Sequence, residues 1–310
     1  MSNLRVGVIG VGHIGREHAR IYSQLPGVEF VGVYDLDNHV AEKVAQRHDV
    51  KAFATAQALA EEVDAVTIAT PTSSHYELGT LLLGLGKHVL VEKPITDNTD
   101  QAKELVELAT AKKVVLQVGH IERFNPALNA LEEKLTRPRF IEAHRLSTYP
   151  GRSTDIGVVL DLMIHDLEVV LHLVRSPIQS IDSVGTAVLS KGEDIANARI
   201  RFENGCVANI TTSRISFEKV RKIRVFQDDA YLSLDYFDQS GEIYRKVNSQ
   251  IIKETIKIEK DEQLKLELAA FAECARTSHQ PRVGGAQAAV ALELAMFITE
   301  QIAKQNAPQT

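Results

Sequence analysis

The sequence predicts an α/β fold in two domains: a doubly wound parallel sheet, then an α+β domain with a large, open-faced, mainly antiparallel sheet. The first half alternates short β-branched runs with helical patterns, and the second half contains several strands joined by turns. The 310 residues exceed the length at which one hydrophobic core usually stops growing. We therefore place the domains at residues 1–121 and 122–310.

The strands of the first domain are near-continuous apolar runs, which are typical of strands that helices cover on both faces. They are expected at Leu4–Ile9, Phe30–Tyr34, Ala65–Ala69, His88–Val91 and Val114–Val118. The helices between them have lengths that suit right-handed crossovers. They are expected at Ile14–Leu25, Asn38–His48, His75–Leu85 and Asn98–Lys112.

The second domain begins with a helical stretch from Asn125-Pro126 to Leu135, a strand at Phe140–Thr148 and a helix at Gly157–Val174. Asn204-Gly205 supplies the positive φ angles that a tight hairpin needs. Further strands are expected at Ile181–Leu189, Asn197–Glu203, Cys206–Ser213, Arg221–Gln227, Tyr231–Tyr236, Gly241–Lys246 and Ile251–Ile258. The last helices are expected at Glu262–Thr277 and Ala286–Lys304.

Composition and charge argue against several classes of protein. The net charge of −6, without a cluster of Lys and Arg, argues against a nucleic-acid partner. No signal-peptide pattern opens the chain and no apolar run of membrane-spanning length stands out, so we expect a cytoplasmic protein without membrane contact. Cys206 and Cys274 lie far apart, so neither a metal site nor a disulfide is expected.

A glycine-rich turn follows the first strand and opens directly into a helix. Its glycines permit a tight turn, close approach of the backbone to a pyrophosphate, and packing of the helix on the strand. Asp35 ends the second strand twenty residues after Gly15, where its carboxylate can accept hydrogen bonds from ribose hydroxyls. The pattern predicts a Rossmann domain that prefers NAD to NADP, because Asp35 would repel a 2′-phosphate. The turn residues expected at the cofactor are Gly10, Gly12, His13, Ile14 and Gly15.

Polar residues follow the third, fourth and fifth strands, at the edge where doubly wound sheets bind ligands. The three loops contain Thr70–His75, Glu92-Lys93-Pro94 and Gly119–Pro126. We expect the proline after Lys93 to fix the turn and direct the ammonium group toward the nicotinamide. The alternative is that these are solvated loops, with Lys93 on the surface and Arg123 in an ion pair.

Asp161 and His165 form a second pair of candidate residues, inside the predicted helix Gly157–Val174. Residues four apart share one face of an α-helix, so the carboxylate and the imidazole would project together. An imidazole beside a carboxylate can move a proton near neutral pH. The alternative is an acid at a helix start above a histidine of the core.

The glycine turn, Glu92-Lys93-Pro94 and Asp161-x-x-x-His165, in this order, resemble the glucose–fructose oxidoreductase / inositol dehydrogenase (Gfo/Idh/MocA) family. The resemblance implies NAD(P)-linked hydride transfer at a sugar or cyclitol carbinol carbon, and a homodimer or homotetramer assembled through the open sheet. It implies that Lys93, Asp161 and His165 are catalytic, and it leaves open whether Lys93 or His165 is the base. The loop residues that it implies near the cofactor are Thr70, Pro71, His75, Glu92, Lys93 and Arg123.

Within the family, Gly119–Pro126 and Asp155–Asp161 resemble the branch that oxidises the 3-hydroxyl of UDP-N-acetylglucosamine. Guanidinium groups suit phosphate oxygens, so arginines near these segments could pair with a diphosphate. They could equally stand in surface ion pairs. The residues expected at the substrate are Lys93, His120, Arg123, Asn125, Arg145, Arg152 and His165.

Two other interpretations stay open at this point. An inositol or other polyol dehydrogenase, a trans-dihydrodiol dehydrogenase or a biliverdin reductase would have the same build. A non-catalytic, NAD-sensing regulator would also need a dinucleotide-binding domain, since a fold does not dictate a function. Such a regulator would have no need for Lys93 together with Asp161 and His165.

Overall fold

The computed structural model describes residues 3–149 and 156–306. The chain divides into two compact units, the first formed by Met1–Ile121 with Glu262–Val290 and the second by Glu122–Asp261 with Ala291–Thr310. The α-helices of the described residues are α1 (His13–Tyr22), α2 (Asn38–His48), α3 (Ala56–Glu62), α4 (His75–Gly84), α5 (Thr99–Lys112), α6 (Pro126–Glu132), α7 (Ile164–Val174), α8 (Gln263–Thr277) and α9 (Gly285–Asn306).

The parallel sheet belongs to the first unit. Within the described residues its strands are β1 (Leu4–Ile9), β2 (Val28–Tyr34), β3 (Lys51–Ala52), β4 (Ala65–Ile68), β5 (His88–Glu92) and β6 (Leu116–Gly119). Their order is β3-β2-β1-β4-β5-β6 and every neighbouring pair is parallel. This is the doubly wound order, whose switch point lies between β1 and β4. The predicted Rossmann sheet is therefore confirmed.

Two short elements of the first unit, β3 and α3, were not predicted. The strand β3 has only two residues, too few to show a hydrophobic period, and α3 has seven. The local sequence nonetheless marks α3 at its start, because the Thr55 side chain accepts the Ala58 N–H and caps the helix.

Helix α8 packs in the first unit, whereas the sequence predicts all of 122–310 in the second domain. Leu264, Leu268 and Phe271 are buried in one cluster with β1 residues such as Val6 and Val8. Burying this apolar face stabilises α8 on the parallel sheet at a large separation along the chain. The compact units therefore differ from the predicted domains at Glu262–Val290, because the pattern of a helix does not reveal which core receives its apolar face.

The second unit contains the large sheet. Its strands in the described part of the chain are β7 (Pro138–Leu146), β8 (Ile178–Thr186), β9 (Ile195–Phe202), β10 (Val207–Ser213), β11 (Val220–Gln227), β12 (Ala230–Asp235), β13 (Ser240–Val247) and β14 (Gln250–Ile256). Their order is β14-β13-β12-β11-β7-β10-β9-β8. The β7–β10 pair is parallel, and the other neighbouring pairs are antiparallel. The predicted mainly antiparallel sheet is confirmed.

One face of this sheet is apolar and contributes to the core of the second unit. Ile141, Ile210 and Val225 are fully buried there, in one cluster with α7 residues. On the alternate positions, four aromatic rings from neighbouring strands form a row. Phe226 stacks on Tyr231 at 4.6 Å, and Tyr231 stacks on Tyr244 at 4.9 Å, with Phe140 at the end of the row. We call Phe140, Phe226, Tyr231 and Tyr244 the aromatic row.

Helix α9 is long and apolar enough to cross a membrane, by length and composition alone. The sequence predicts no apolar run of membrane-spanning length, so α9 departs from that prediction. Its apolar side nevertheless serves as a core face: Ala291, Leu294, Ala295 and Ile298 are buried in the cluster of the second unit. This burial shows that α9 packs its apolar side against the core of the second unit.

A π-helical turn, Val159–Met163, precedes α7. The sequence predicts one regular helix over Gly157–Val174, so this turn is a departure. A π-turn contains one more residue per hydrogen-bonded ring than an α-turn and rotates the side chains that precede it. Asp161 lies inside the turn and His165 lies just after it.

Candidate active site

The glycine turn after β1 has the geometry of a phosphate cradle. Gly10 has a φ of +81°, which L residues rarely adopt. A Cβ atom on Gly15 would overlap the Gly10 carbonyl oxygen, so the first turn of α1 packs directly on the loop. A Cβ on Gly12 would meet no heavy atom within 4 Å. The turn is thus closed toward the protein and open at Gly12, as the approach of a pyrophosphate requires.

The N-terminus of α1 continues this cradle. Gly12 is the N-cap, and no side chain among the described residues caps the helix. The first turn, His13 to Arg16, contains no acidic side chain. The first N–H groups of a helix have no partner within it and carry partial positive charge, so they favour an anion. His13 is exposed and Ile14 half-buried.

Asp35 lies at the end of β2 and contacts the glycine turn directly. Its Oδ2 accepts the Val11 N–H at 2.7 Å, and its Oδ1 accepts the Asp37 N–H at 3.0 Å. These two bonds fix the carboxylate beside the cradle. The residues of the first unit therefore fit a dinucleotide: main-chain N–H groups for phosphates and a fixed carboxylate for hydroxyl donors.

His75 joins two of the loops at the carboxyl edge of the parallel sheet. The ring is 1% exposed, with Nδ1 2.9 Å from the Pro94 carbonyl oxygen and Nε2 2.9 Å from that of Thr70. Both nitrogens therefore face main-chain acceptors, which suits a residue that holds these loops together. Thr70 is half-buried and Pro71 exposed. The predicted proximity of His75 to a nicotinamide stays a prediction.

Glu92 ends β5, and Lys93 follows it directly. The Oε1 of Glu92 lies 3.1 Å from Nε2 of His18, which is fully buried on α1. A Cβ on Gly119 would lie 2.9 Å from the Glu92 carboxylate, so a glycine at this position lets the carboxylate pack against β6. Lys93 is half-buried and forms a cis peptide bond with Pro94. Sequence reasoning missed His18, although it shares the buried side of α1 with Ala19 and Tyr22.

Glu267 is a second buried acid of the first unit that sequence reasoning missed. It lies on α8 with 0% exposure, and its carboxylate oxygens have no hydrogen-bond partner among the described residues. Burial, reinforced by the charge of Glu92, raises the pKa of Glu267 well above its usual range. No local signal marks this acid. The sequence also assigns its helix to the other domain, away from Glu92.

Asp161 and His165 lie in the second unit, on the π-turn and at the start of α7. Both side chains are half-buried, whereas Val159, Met163 and Ile164 around them are buried. The Asp161 N–H donates to the Gly157 carbonyl oxygen at 3.2 Å, which anchors the turn. Both residues therefore belong to the less buried side of the segment, where a group can meet a ligand.

Arg145 and Arg123 are bound to carboxylates of the second unit. Arg145 contacts Asp166 and Glu122, and its side chain is 3% exposed. Arg123 Nη1 lies 2.5 Å from Glu168 Oε1, and its side chain is 4% exposed. Buried carboxylates therefore contact both guanidinium groups. Ion pairs are the alternative that the sequence left open for these arginines. The predicted diphosphate contacts of Arg145 and Arg123, and the predicted cofactor contact of Arg123, stay predictions.

Asn125 has a structural role at the start of α6, and its predicted role at the substrate stays a prediction. Its Oδ1 accepts the Ala127 N–H at 3.0 Å and caps α6, while its Nδ2 donates to the Tyr236 carbonyl oxygen at 3.1 Å. His120, in the first unit, is 1% exposed and follows β6 directly. Arg152 lies outside the described residues.

The chain matches two family models. Residues 4–120 match an oxidoreductase family with an NAD-binding Rossmann fold, and residues 132–233 match the GFO/IDH/MocA C-terminal domain. A UDP-N-acetylglucosamine 3-dehydrogenase from Acidithiobacillus ferrooxidans is 40% identical over 247 residues, which are 79% of this chain and 78% of that protein. A scyllo-inositol 2-dehydrogenase (NAD(+)) from Bacillus subtilis is 26% identical over 96% of this chain and 93% of its own.

A solved structure extends the likeness over almost the whole chain. The UDP-N-acetylglucosamine 3-dehydrogenase of Acidithiobacillus ferrooxidans superposes with a TM-score of 0.93 at 35% identity, covering 98% of this chain and 99% of that one. The resemblance inferred from the sequence motifs is confirmed. The cradle, the two sheets and both family models agree, and the chain therefore belongs to the GFO/IDH/MocA family of oxidoreductases.

Proposed function

We propose that the protein oxidises the 3-hydroxyl of UDP-N-acetylglucosamine with NAD as hydride acceptor. The observation that carries this proposal is the 40% identity over 79% of the chain to a UDP-N-acetylglucosamine 3-dehydrogenase. Lys93, Asp161 and His165 support the proposal. A hydroxyl must lose its proton as its carbon loses hydride, and these side chains can accept a proton or stabilise charge.

The cofactor assignment to NAD rather than NADP rests on Asp35. The carboxylate is fixed beside the glycine turn by two main-chain N–H groups. It can accept hydrogen bonds from ribose hydroxyls, and it would repel a 2′-phosphate. When bound, the nicotinamide accepts the hydride; the protein supplies binding, orientation and charge.

The protein side of the reaction falls to three residues. His165 or Lys93 takes the proton from the sugar hydroxyl, and a cationic Lys93 would stabilise negative charge that develops on the oxygen. Asp161 orients the imidazole of His165 and stabilises its charged form. Glu92 contributes by holding the end of β5, through its contact with His18. The diphosphate contacts of Arg123, Arg145 and Arg152 stay predictions.

We further propose a cytoplasmic homodimer or homotetramer assembled through the open face of the large sheet. The aromatic row supports this, because Phe140, Phe226, Tyr231 and Tyr244 present stacked rings on the side opposite the core. An apolar band of this kind on a sheet face is typical of a subunit interface. The net charge of −6 gives no reason to expect nucleic acid as a partner.

A second candidate substrate is an unactivated cyclitol. It is favoured by the scyllo-inositol 2-dehydrogenase, whose similarity covers 96% of this chain, although at 26% identity. Both substrates would need the same proton and hydride transfers, so only a comparison of turnover with each substrate can decide between them.

The test is NADH formation by the purified protein with NAD and a panel of substrates: UDP-N-acetylglucosamine, UDP-glucose, free N-acetylglucosamine and scyllo-inositol. Turnover confined to the UDP-amino sugar is the expected result. Turnover with scyllo-inositol alone would replace the proposal by the second candidate. No turnover with any substrate in either direction, by a protein that binds NADH, would favour a sensing role.

A further inference from the structure

The segment that carries Asp161 is held at its start by an acid from another part of the second unit. The Val158 N–H donates to the main-chain oxygen of Glu193 at 2.9 Å, and the Val159 N–H donates to its Oε1 at 3.2 Å. The first N–H groups of a helical segment lack partners within it, so a carboxylate satisfies them and suits the positive end of the peptide dipoles. Glu193 is 8% exposed, and its bonds are therefore shielded from water.

Gly157 gives Glu193 its access to the segment. A Cβ atom on Gly157 would overlap the Glu193 carboxylate, so any other residue here would push the acid away. The Gly157 carbonyl oxygen accepts the Asp161 N–H at 3.2 Å. A displacement at Gly157 is thus transmitted to the backbone of Asp161 through one hydrogen bond.

Arg214 holds the residue before Gly157. Its Nη1 donates to the Ile156 carbonyl oxygen at 2.7 Å, and its Nε donates to Asp194 Oδ1 at 2.8 Å. Asp194 also accepts the N–H groups of Val188 and Leu189, so it is itself fixed by its loop. Because the side chains of Arg214 and Asp194 are 1% and 0% exposed, this ion pair is geometrically fixed rather than a mobile surface contact.

We propose that Glu193 and Arg214 are positioning residues: together they fix residues 156–159 so that the π-turn presents the Asp161 carboxylate to His165. The inference rests on the proposed function, in which Asp161 and His165 serve the proton transfer. Neither Glu193 nor Arg214 has to touch the substrate. Misplacement of a catalytic group by about 1 Å can cost on the order of 100-fold in rate, which is why the start of the turn matters.

The test compares Glu193→Ala with Glu193→Gln in the full-length protein, with NAD and the best sugar substrate. Glu193→Ala should lower kcat by about 10–100-fold, with KM for the sugar and NADH affinity changed less than about threefold. Glu193→Gln retains an oxygen that can accept the Val159 N–H and should recover most of kcat. The exposed Glu218→Ala is the matched control and should behave as wild type.

Gly157→Ala tests the same contact from the other side and serves if Glu193→Ala does not fold. It should lower kcat as Glu193→Ala does, and the double variant should be no slower than Glu193→Ala, because the methyl group enters space that the acid has left. Amide exchange over residues 157–165, measured without substrate, should be at least about tenfold faster in both single variants.

Normal kcat in Glu193→Ala or Gly157→Ala would overturn the inference, as would a loss in Glu193→Gln equal to that in Glu193→Ala. Unchanged amide exchange would also overturn it, whatever the activity. Failure of the proposed function looks different: the wild-type protein would then turn over no sugar, or His165→Ala would match wild type, while amide exchange would still report the contact.

Discussion

Arg145 binds Asp166 through two nitrogens: Nε donates to Oδ2 at 2.8 Å and Nη2 donates to Oδ1 at 3.1 Å. Its Nη1 donates to Glu122 Oε1 at 2.9 Å. All three side chains are nearly inaccessible. The arrangement links strand β7 to helix α7, immediately beside His165, and gives Arg145 a structural role.

Arg145→Ala should destabilise the protein by about 3–5 kcal/mol, because it leaves buried carboxylates without their partner. Urea unfolding measures the change. Arg224→Ala removes the exposed pair with Glu142 and is the control, expected to cost less than about 1 kcal/mol. Equal effects of the two substitutions would show that the burial of Arg145 has no energetic consequence.

Lys93→Ala and His165→Ala should each lower kcat by roughly two to four orders of magnitude, because each removes a group that holds a proton or charge in the transition state. NADH binding, followed by fluorescence, should change little. His172→Ala, on the same helix α7 as His165, is the control and should keep kcat within about threefold. Near-normal turnover in both active-site variants would refute the assignment.

Asp35→Ser should reduce the preference for NAD over NADP by about tenfold or more, since removing one charge beside a phosphate gains on the order of 1.4 kcal/mol. The measurement is the ratio of kcat/KM for the two cofactors. Asp37→Ser removes a neighbouring carboxylate that caps α2 and should leave the ratio unchanged. An equal shift in both variants would point to a general charge effect.

Glu267→Gln should make stability less dependent on pH. The raised pKa of Glu267 means that the native state keeps a proton that the unfolded state loses above its ordinary pKa of 4.5. Stability therefore falls as pH rises from about 4.5 toward the folded-state pKa, and Gln removes this fall. Urea unfolding between pH 5 and pH 8 should show a gain that grows with pH. Glu273→Gln, exposed on the same helix, should keep the wild-type slope.

Tyr231→Lys should convert the assembly into smaller species, because it places a charge in the middle of the aromatic row. Light scattering after size-exclusion chromatography gives the mass. Leu85→Lys, at the exposed end of α4, is the control and should keep the wild-type mass. A wild-type mass for Tyr231→Lys would place the interface elsewhere.

The sequence predicts β1 and α2 with the bounds that the structure shows, because each combines an apolar period with a clear boundary signal. It also predicts the cradle, since Gly10, Gly15 and Asp35 have local reasons for their positions. These features depend on residues close together in the chain, and the physical chemistry of short segments determines them.

Other features depend on contacts between distant segments. The partners of Arg145, on β7, are Glu122 and Asp166, and no local pattern relates the three. The hydrogen bond from the Val159 N–H at the start of the π-turn to Glu193 joins residues 34 apart along the chain. Pairing of this kind forms only when the fold brings distant segments together, so the sequence alone could not identify the partners of these arginines.

The return of α8 to the parallel sheet has a consequence for biosynthesis. Once the ribosome has synthesised residues 1–121, all six strands of that sheet in the described chain are present. Helix α8, which packs in one cluster with Val6 and Val8, has not yet been made. Leu268 and Phe271 emerge only after the whole large sheet has been made. The nascent first unit therefore keeps apolar surface exposed until α8 has been synthesised, and in this interval a chaperone would bind it.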